Sequence, residues 1–191
     1  MGDVNPSGKL PFTFPARLED VPAHSLGQYS AVRSKDVTKI RYNEGIFVGY
    51  RWTDRQKKVQ PLFSFGHGLS YTTFEYGKPV ADKREMKAGE QITVTVPVKN
   101  TGNREGKEVV QLYIRDKKST VERPVKELKG FCKVSLKPGE EKEVSFTIDR
   151  SALSYFDAGS HQWVAEPGAF EAIVAASATD IRGRVEFKLT E

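Results

Sequence analysis

From residue 72 to the end of the chain, apolar and polar residues alternate in short runs divided by turn signals. In Ile92-Thr-Val-Thr-Val-Pro-Val98 the even positions are apolar and the odd ones, apart from Pro97, are polar. That period of two buries one face of a strand. Val144, Phe146 and Ile148 repeat it against Ser145 and Thr147. Strands are predicted over 72–80, 91–100, 107–115, 126–136, 141–149, 163–165, 168–176 and 184–189. Asn100-Thr-Gly102, Lys137-Pro-Gly139 and Glu166-Pro-Gly168 are turns, because proline presets φ and glycine accepts positive φ. No stretch of ordinary helical length carries a 3.6-residue apolar stripe, and only Ser151 to Ser154, after Asp149, reads as a single helical turn. Roughly seven short strands in a region of this length have the size and rhythm of an immunoglobulin-like sandwich.

Residues 1–71 follow another rule. Pro6, Pro11, Pro15 and Pro22 come too often for a helix, although Leu10-Pro-Phe-Thr-Phe14 reads as a short edge strand. A polar loop is predicted over 33–39, one strand over 42–52 from Ile46, Phe47, Val48 and Tyr50, a charged turn over 53–60 and an aromatic, glycine-rich loop over 61–71. The stretches Tyr42-Asn-Glu-Gly-Ile-Phe-Val-Gly-Tyr-Arg51 and Pro61-Leu-Phe-Ser-Phe-Gly-His-Gly-Leu-Ser-Tyr-Thr-Thr-Phe74 are dense in rings, with Gly45, Gly49, Gly66 and Gly68 between them. Aromatic side chains bring large apolar burial, and glycines permit close backbone approach. A segment of this kind is built to pack against another body.

These two stretches, with Gly8-Lys-Leu-Pro-Phe-Thr-Phe-Pro15 before them, resemble the C-terminal part of glycoside hydrolase family 3, the β-glucosidase family. Residues 73–191 resemble the fibronectin type III-like domain that closes many of those enzymes. Ser64 departs from the pattern, standing where the family usually has proline, and this bears on the rigidity of one turn. The resemblance implies an all-β fold: an immunoglobulin or fibronectin type III-like β-sandwich over 72–191, preceded over 1–71 by an irregular, strand-containing remnant of a larger α/β sandwich domain and its linker. It also implies that the catalytic aspartate, in an N-terminal barrel, and the acid/base glutamate, in the following α/β domain, lie upstream of the Gly-Lys-Leu-Pro motif. This chain is therefore expected to hold no catalytic residue and to be inactive alone. The parent would be a retaining, exo-acting β-glucosidase working through a covalent glycosyl-enzyme, in the periplasm or outside the cell. The partners expected are the parent's upstream catalytic domains, with oligosaccharide as substrate through the parent.

Composition narrows the alternatives. Hydrophobic residues make up 38% and charged residues 29%, ordinary for a globular protein. No apolar run is long enough for a transmembrane helix, and the first residues show neither the basic nor the apolar region of a secretory signal. The net charge of +5 falls mostly on residues 1–73, with ten Lys/Arg against six Asp/Glu, whereas 74–191 hold twenty against nineteen with the signs interspersed. No basic stripe interleaves with aromatics, so scattered solvated charge is the reading and nucleic acid is not an expected partner. Cys132 is alone, which excludes an internal disulfide and a multi-cysteine metal site; it reads as a small core or strand residue.

Candidate chemistry is sparse, and neither a metal nor a cofactor is expected. His24, His67 and His161 have no metal-ligand spacing. His67, between two glycines, is a candidate for the rim of a sugar cleft, but holding a tight loop is the better reading. Glu44 and Asp54 are the acids nearest the aromatic cluster; each is expected to cap or to pair with a neighbour such as Arg41 or Arg51 rather than to catalyse. Trp52, Phe63, Phe65 and His67 are the candidates for a sugar-cleft rim or an interdomain contact, with the contact preferred for Trp52; a core role is preferred for Trp163. Two rival functions remain: a sandwich that grips polysaccharide, which would need a row of exposed rings, and a stand-alone interaction domain. Left without its partner domain, 8–71 is expected to fold back on the sandwich or to mediate self-association.

Overall fold

The computed structural model describes residues 2–28, 32–34, 37–56 and 59–191. The N-terminal segment contains a 3-10 turn (Leu18–Asp20), helix α1 (Pro22–Ser25), strands β1 (Val32–Ser34) and β2 (Val37–Lys39), and helix α2 (Tyr50–Arg55). Two expectations are corrected here. The stretch 33–39 is not simply loop, because β1 and β2 pair antiparallel; its residues 35–36 lie outside the described residues. Nor is 42–52 one strand: residues 43–46 form a turn and α2 begins at Tyr50. Gly45 and Gly49 both adopt a φ of 57°, which an extended strand cannot contain. The β-propensity of Ile46, Phe47 and Val48 yields to those two reversals and to burial of Trp52 on α2. The turn expected over 53–60 accordingly starts inside α2, and its residues 57–58 lie outside the described residues.

The remainder is a two-layer β-sandwich. Its strands are β3 (Phe74–Tyr76), β4 (Val80–Ala81), β5 (Glu85–Lys87), β6 (Ile92–Asn100), β7 (Gly106–Asp116), β8 (Glu127–Leu136), β9 (Glu141–Ile148), β10 (Tyr155–Asp157), β11 (Gln162–Val164), β12 (Gly168–Ala175) and β13 (Ile181–Thr190). One sheet has the order β5-β13-β12-β7-β8. In the other, β6 pairs with β9 along one edge and with β3 and β4 along the opposite edge. All these pairs are antiparallel except β13 with β5. β10 and β11 form a separate hairpin. The single strand expected over 72–80 divides at Gly77, whose amide bonds the Pro97 carbonyl at 2.8 Å. The expected helical turn is α3 (Arg150–Leu153), capped by the Asp149 carboxylate accepting from the Ala152 amide at 3.0 Å.

The core lies between the layers. Ile92, Val94, Val96 and Val98 of β6 are fully buried against Leu112, Phe170 and Phe187 of the facing sheet. On β7, Val110, Leu112 and Ile114 point into this core, yet Gln111 and Tyr113 between them are buried too. The same holds on β12, where Phe170 to Ala175 are buried without a break. Two central strands are thus covered on both faces. The outer cover comes from the N-terminal segment, through Tyr50 and Phe65 packed on Tyr113, Ile173, Ala175 and Ala178.

Where the segment joins the sandwich, fully buried Asn100 uses both ends of its amide. Its oxygen accepts from Thr72 Oγ1 at 2.6 Å and from the Gly102 amide at 3.0 Å, while its nitrogen donates to the carbonyls of Arg104 and Leu136 at 2.7 and 3.0 Å. The isosteric Asn100→Asp change keeps the shape and removes the donor. It should cost about 3 kcal/mol, since two buried carbonyls lose their partner, and urea unfolding monitored by circular dichroism reads the loss.

Candidate functional site: an aromatic seam and two clefts

The seam between segment and sandwich is assembled by backbone first. Residues 10–14 run antiparallel to 62–67: the Leu10 amide bonds the His67 carbonyl at 2.8 Å, the Gly66 amide bonds the Leu10 carbonyl at 2.7 Å, and Phe14 and Phe63 form a bridge. The edge strand expected at Leu10 to Phe14 is reduced to that bridge by its prolines. On the other side, the Ala178 amide donates to the Phe65 carbonyl at 2.9 Å, and Gln111 Nε2 donates to the Gly66 and Ala176 carbonyls at 3.3 and 2.8 Å. Gly66 has a φ of 78°, and a Cβ there would overlap the Gln111 amide, so only glycine permits this approach. Ser64 occupies its departure from the family pattern to some effect. Its buried hydroxyl donates to Ser177 Oγ at 3.1 Å and accepts from Thr179 Oγ1 at 3.0 Å, bonds that proline cannot make.

Ion pairs close the seam. Lys9 reaches the Glu108 carboxylate at 2.9 Å, and Tyr76 donates its hydroxyl to the same oxygen at 3.1 Å. Burial, with the Glu108 carboxylate next in weight, pushes the Tyr76 phenol up from its ordinary value. Asp54 pairs with Lys126 at 2.5 Å, and Arg51 with Glu127 at 3.2 Å. The acid Asp54 is therefore engaged, but by a sandwich lysine and not by Arg51. Burial raises its carboxyl despite the lysine, and Lys126 also lies over the Tyr50 and Tyr113 rings.

The candidate rings divide. Trp52 is 4% exposed, and its indole N–H donates to the Asp20 carbonyl at 2.9 Å, so it offers no platform to solvent. Phe65 packs 5.1 Å from Tyr50, which stands edge-on to Tyr113 at 5.7 Å. Phe63 and His67 are brought together, ring to ring at 5.2 Å, with Phe14 edge-on to Phe63. They line a groove of about 560 Å³ with Leu10, Gly68 and Leu69. The core role expected for Trp163 is corrected: its side chain is 70% exposed, because β11 belongs to the separate hairpin outside both sheets. Cys132 sits half-buried on β8 against the core.

A second cleft, about 600 Å³, lies beside that hairpin and is lined by Trp163, Phe156, Tyr155, Arg51, Glu122 and Lys129 among others. Phe156 was missed because β10 was not read from the sequence. The available signal was the pair of aromatic positions flanking Asp157-Ala-Gly-Ser160, a turn in which the Asp157 carboxylate accepts from the amides of Gly159 and Ser160. The Ser160 hydroxyl and these amides hold Asp157 below the usual carboxylate value. Glu166 is likewise lowered, chiefly by the Thr120 hydroxyl, and tethers the loop that forms one wall of the cleft. Among the described residues, no group of His, Cys, Asp or Glu is arranged to hold a metal ion, and no helix is long and apolar enough to cross a membrane.

A fibronectin type III-like sandwich with an aromatic N-terminal segment is the class these features define. The fibronectin type III-like domain matches residues 108–178, and the glycosyl hydrolase family 3 C-terminal domain matches residues 1–50. The chain belongs to the C-terminal region of glycosyl hydrolase family 3. It is 57% identical to a β-glucosidase of Bacteroides ovatus over 98% of this chain and 25% of the relative. It is 49% identical to thermostable β-glucosidase B of Acetivibrio thermocellus, over 94% of this chain and 23% of that one. The structure of β-glucosidase 3B from Thermotoga neapolitana in complex with glucose superposes with a TM-score of 0.86 at 40% identity, covering 100% of this chain and 25% of that one. The chain thus spans about a quarter of the length of the curated relatives it matches.

Two outcomes are expected at the seam. Asp54→Asn should destabilise the chain by about 3 kcal/mol by leaving Lys126 buried without its counter-ion, whereas Asp54→Asn combined with Lys126→Met should recover most of the loss; a double-mutant cycle in denaturant measures this. Glu166 has a folded value below the ordinary glutamate value of 4.5. Its hold on the loop is therefore complete above that pH and lost as pH falls through the depressed value. Exchange protection of the Thr120 amide should follow this course, and Glu166→Gln should flatten it.

Proposed function

We propose that this chain is the non-catalytic C-terminal part of a β-glucosidase-type glycoside hydrolase, and that it docks on and supports the parent's upstream catalytic domains. One observation carries the docking role. Thirteen of the nineteen exposed large hydrophobic residues described lie in residues 1–71, including Ile40, Tyr42, Ile46 and Val48 in one run. Tyr50 and Phe65 of that segment pack on the sandwich, and most of its exposed apolar side chains are left for a further body to cover. The names of the relatives support the activity of the parent, and the match of residues 1–50 to a C-terminal domain supports placing its catalytic carboxylates upstream.

The unit boundary falls at residues 71 and 72 in this reading, supported by Thr72 bonding Asn100 in the sandwich. Family resemblance supports a periplasmic or extracellular parent. The oligosaccharide substrate would be met by the catalytic domains. Without those domains, the same exposed surface favours self-association.

The test uses the 191-residue chain and the parent enzyme. The chain alone should release no product from an aryl β-glucoside. In the parent, Tyr42→Asp with Val48→Asp, two exposed positions outside the clefts, should lower the thermal midpoint of the catalytic domains and the activity with it, because two charges enter an apolar interface. Hydrolysis by the chain alone, or a parent indifferent to both charges, overturns the proposal.

A further inference from the structure

We propose that the cleft beside the β10–β11 hairpin binds a neutral oligosaccharide. Phe156 and Trp163 are direct cross-strand partners, so both rings project from the same face of the hairpin. Their centroids are 5.7 Å apart at an interplanar angle of 68°, so the rings meet edge to face and not in a stack, and Trp163 stays 70% exposed. The apolar C–H face of a pyranose matches such a ring. The indole is open to water and takes no part in the core.

The polar lining narrows the ligand. Arg51, Arg123 and Lys129 face Glu122, Glu127 and Asp157, so the cleft has planar hydrogen-bonding groups of both signs and no formal net charge. Glu127 already pairs with Arg51, Arg123 and Lys129, so a sugar would meet the N–H donors and carboxylate lone pairs that these ion pairs leave over. With its charges balanced, the cleft offers an ionic ligand no net attraction, and a neutral polyol needs none. A concavity of about 600 Å³ also suits a ligand of a few sugar rings.

The walls of the cleft are tied by hydrogen bonds and ion pairs within the chain. Asp157 ties the hairpin turn through Gly159 and Ser160. Arg123 is pinned by the Leu153 carbonyl at 2.9 Å and by Asp116 and Glu127, and its guanidinium lies over the Tyr155 ring. Side chains that are already ordered lose little freedom on binding. The sugar expected is glucosyl, an assignment that rests on the proposed function of the parent; the cleft itself does not depend on it.

The 191-residue chain is titrated with cellotriose, mannotriose and trigalacturonate, following acrylamide quenching of tryptophan. Trp52 is buried and reports the fold, whereas Trp163 reports the cleft. Cellotriose should protect Trp163 saturably at about 10 mM, above the ~1 mM dissociation constant of a weak site. In Trp163→Ala, followed by proton shifts of the sugar, affinity should fall at least about tenfold, while Trp163→Phe should keep most of it because a ring remains. Saturable protection by mannotriose alone supports the site and removes the glucosyl assignment. Three results overturn the proposal: no saturable protection by either neutral sugar, undiminished affinity in Trp163→Ala, or stronger binding of trigalacturonate. Quenching of Trp163 that changes with protein concentration in the absence of sugar assigns the face to a second copy and overturns it as well.

Discussion

Burial of the outer face of β7 and β12 is the constraint on which this structure depends. Tyr113 and Gln111 point away from the sandwich core, and Ile173 and Ala175 beside them do the same. Exposed to water, that apolar strip would be a ready site for association. Tyr50 and Phe65 cover it, and the carbonyl and amide groups that the cover brings with it are met by Gln111 and Ala178. The N-terminal segment is therefore the third layer of the domain, although it is almost devoid of regular structure.

The polar contacts of the seam set register more than they set strength. Lys9 with Glu108, Arg51 with Glu127 and Asp54 with Lys126 are distributed along β7, β8 and the loop before it, so the segment can sit in one position only. Charges buried in this way seldom add net stability over apolar groups, but a shifted register would strand them unpaired. The glycines work to the same end. Gly66 allows the Gln111 amide to come close enough to bond its carbonyl. A segment held so firmly on one side can transmit force or orientation from whatever packs on its other side, which is what a docking role requires.

The two surfaces of the molecule differ accordingly. The segment presents a run of exposed apolar side chains, Ile40, Tyr42, Ile46 and Val48, while the sandwich strands present mixed charge. Within the sandwich, the open pair Phe156 and Trp163 is an exception, and it stands over a cleft with balanced charge. The two proposed contacts are neighbours and not opposites, because exposed Ile46 of the segment also lines that cleft.

Most of the sandwich was legible in the chain, because a strand with one buried face writes its period of two directly into the sequence, as β6 and β9 do. The segment was legible only as motif and composition. Gly45 and Gly49 overrode the β-formers between them, and the helix that follows has no apolar stripe to announce it. The continuous apolar run of β12 did carry a sign of double coverage, since a strand buried on both faces loses its alternation. By itself the sequence determined the family, the sandwich and its turns, which rest on local backbone chemistry and on side-chain period. Only the tertiary structure decided that Trp52 is buried, that Trp163 is open, and that Asp54 answers Lys126. Those outcomes follow from which distant surfaces meet, and no local pattern encodes that.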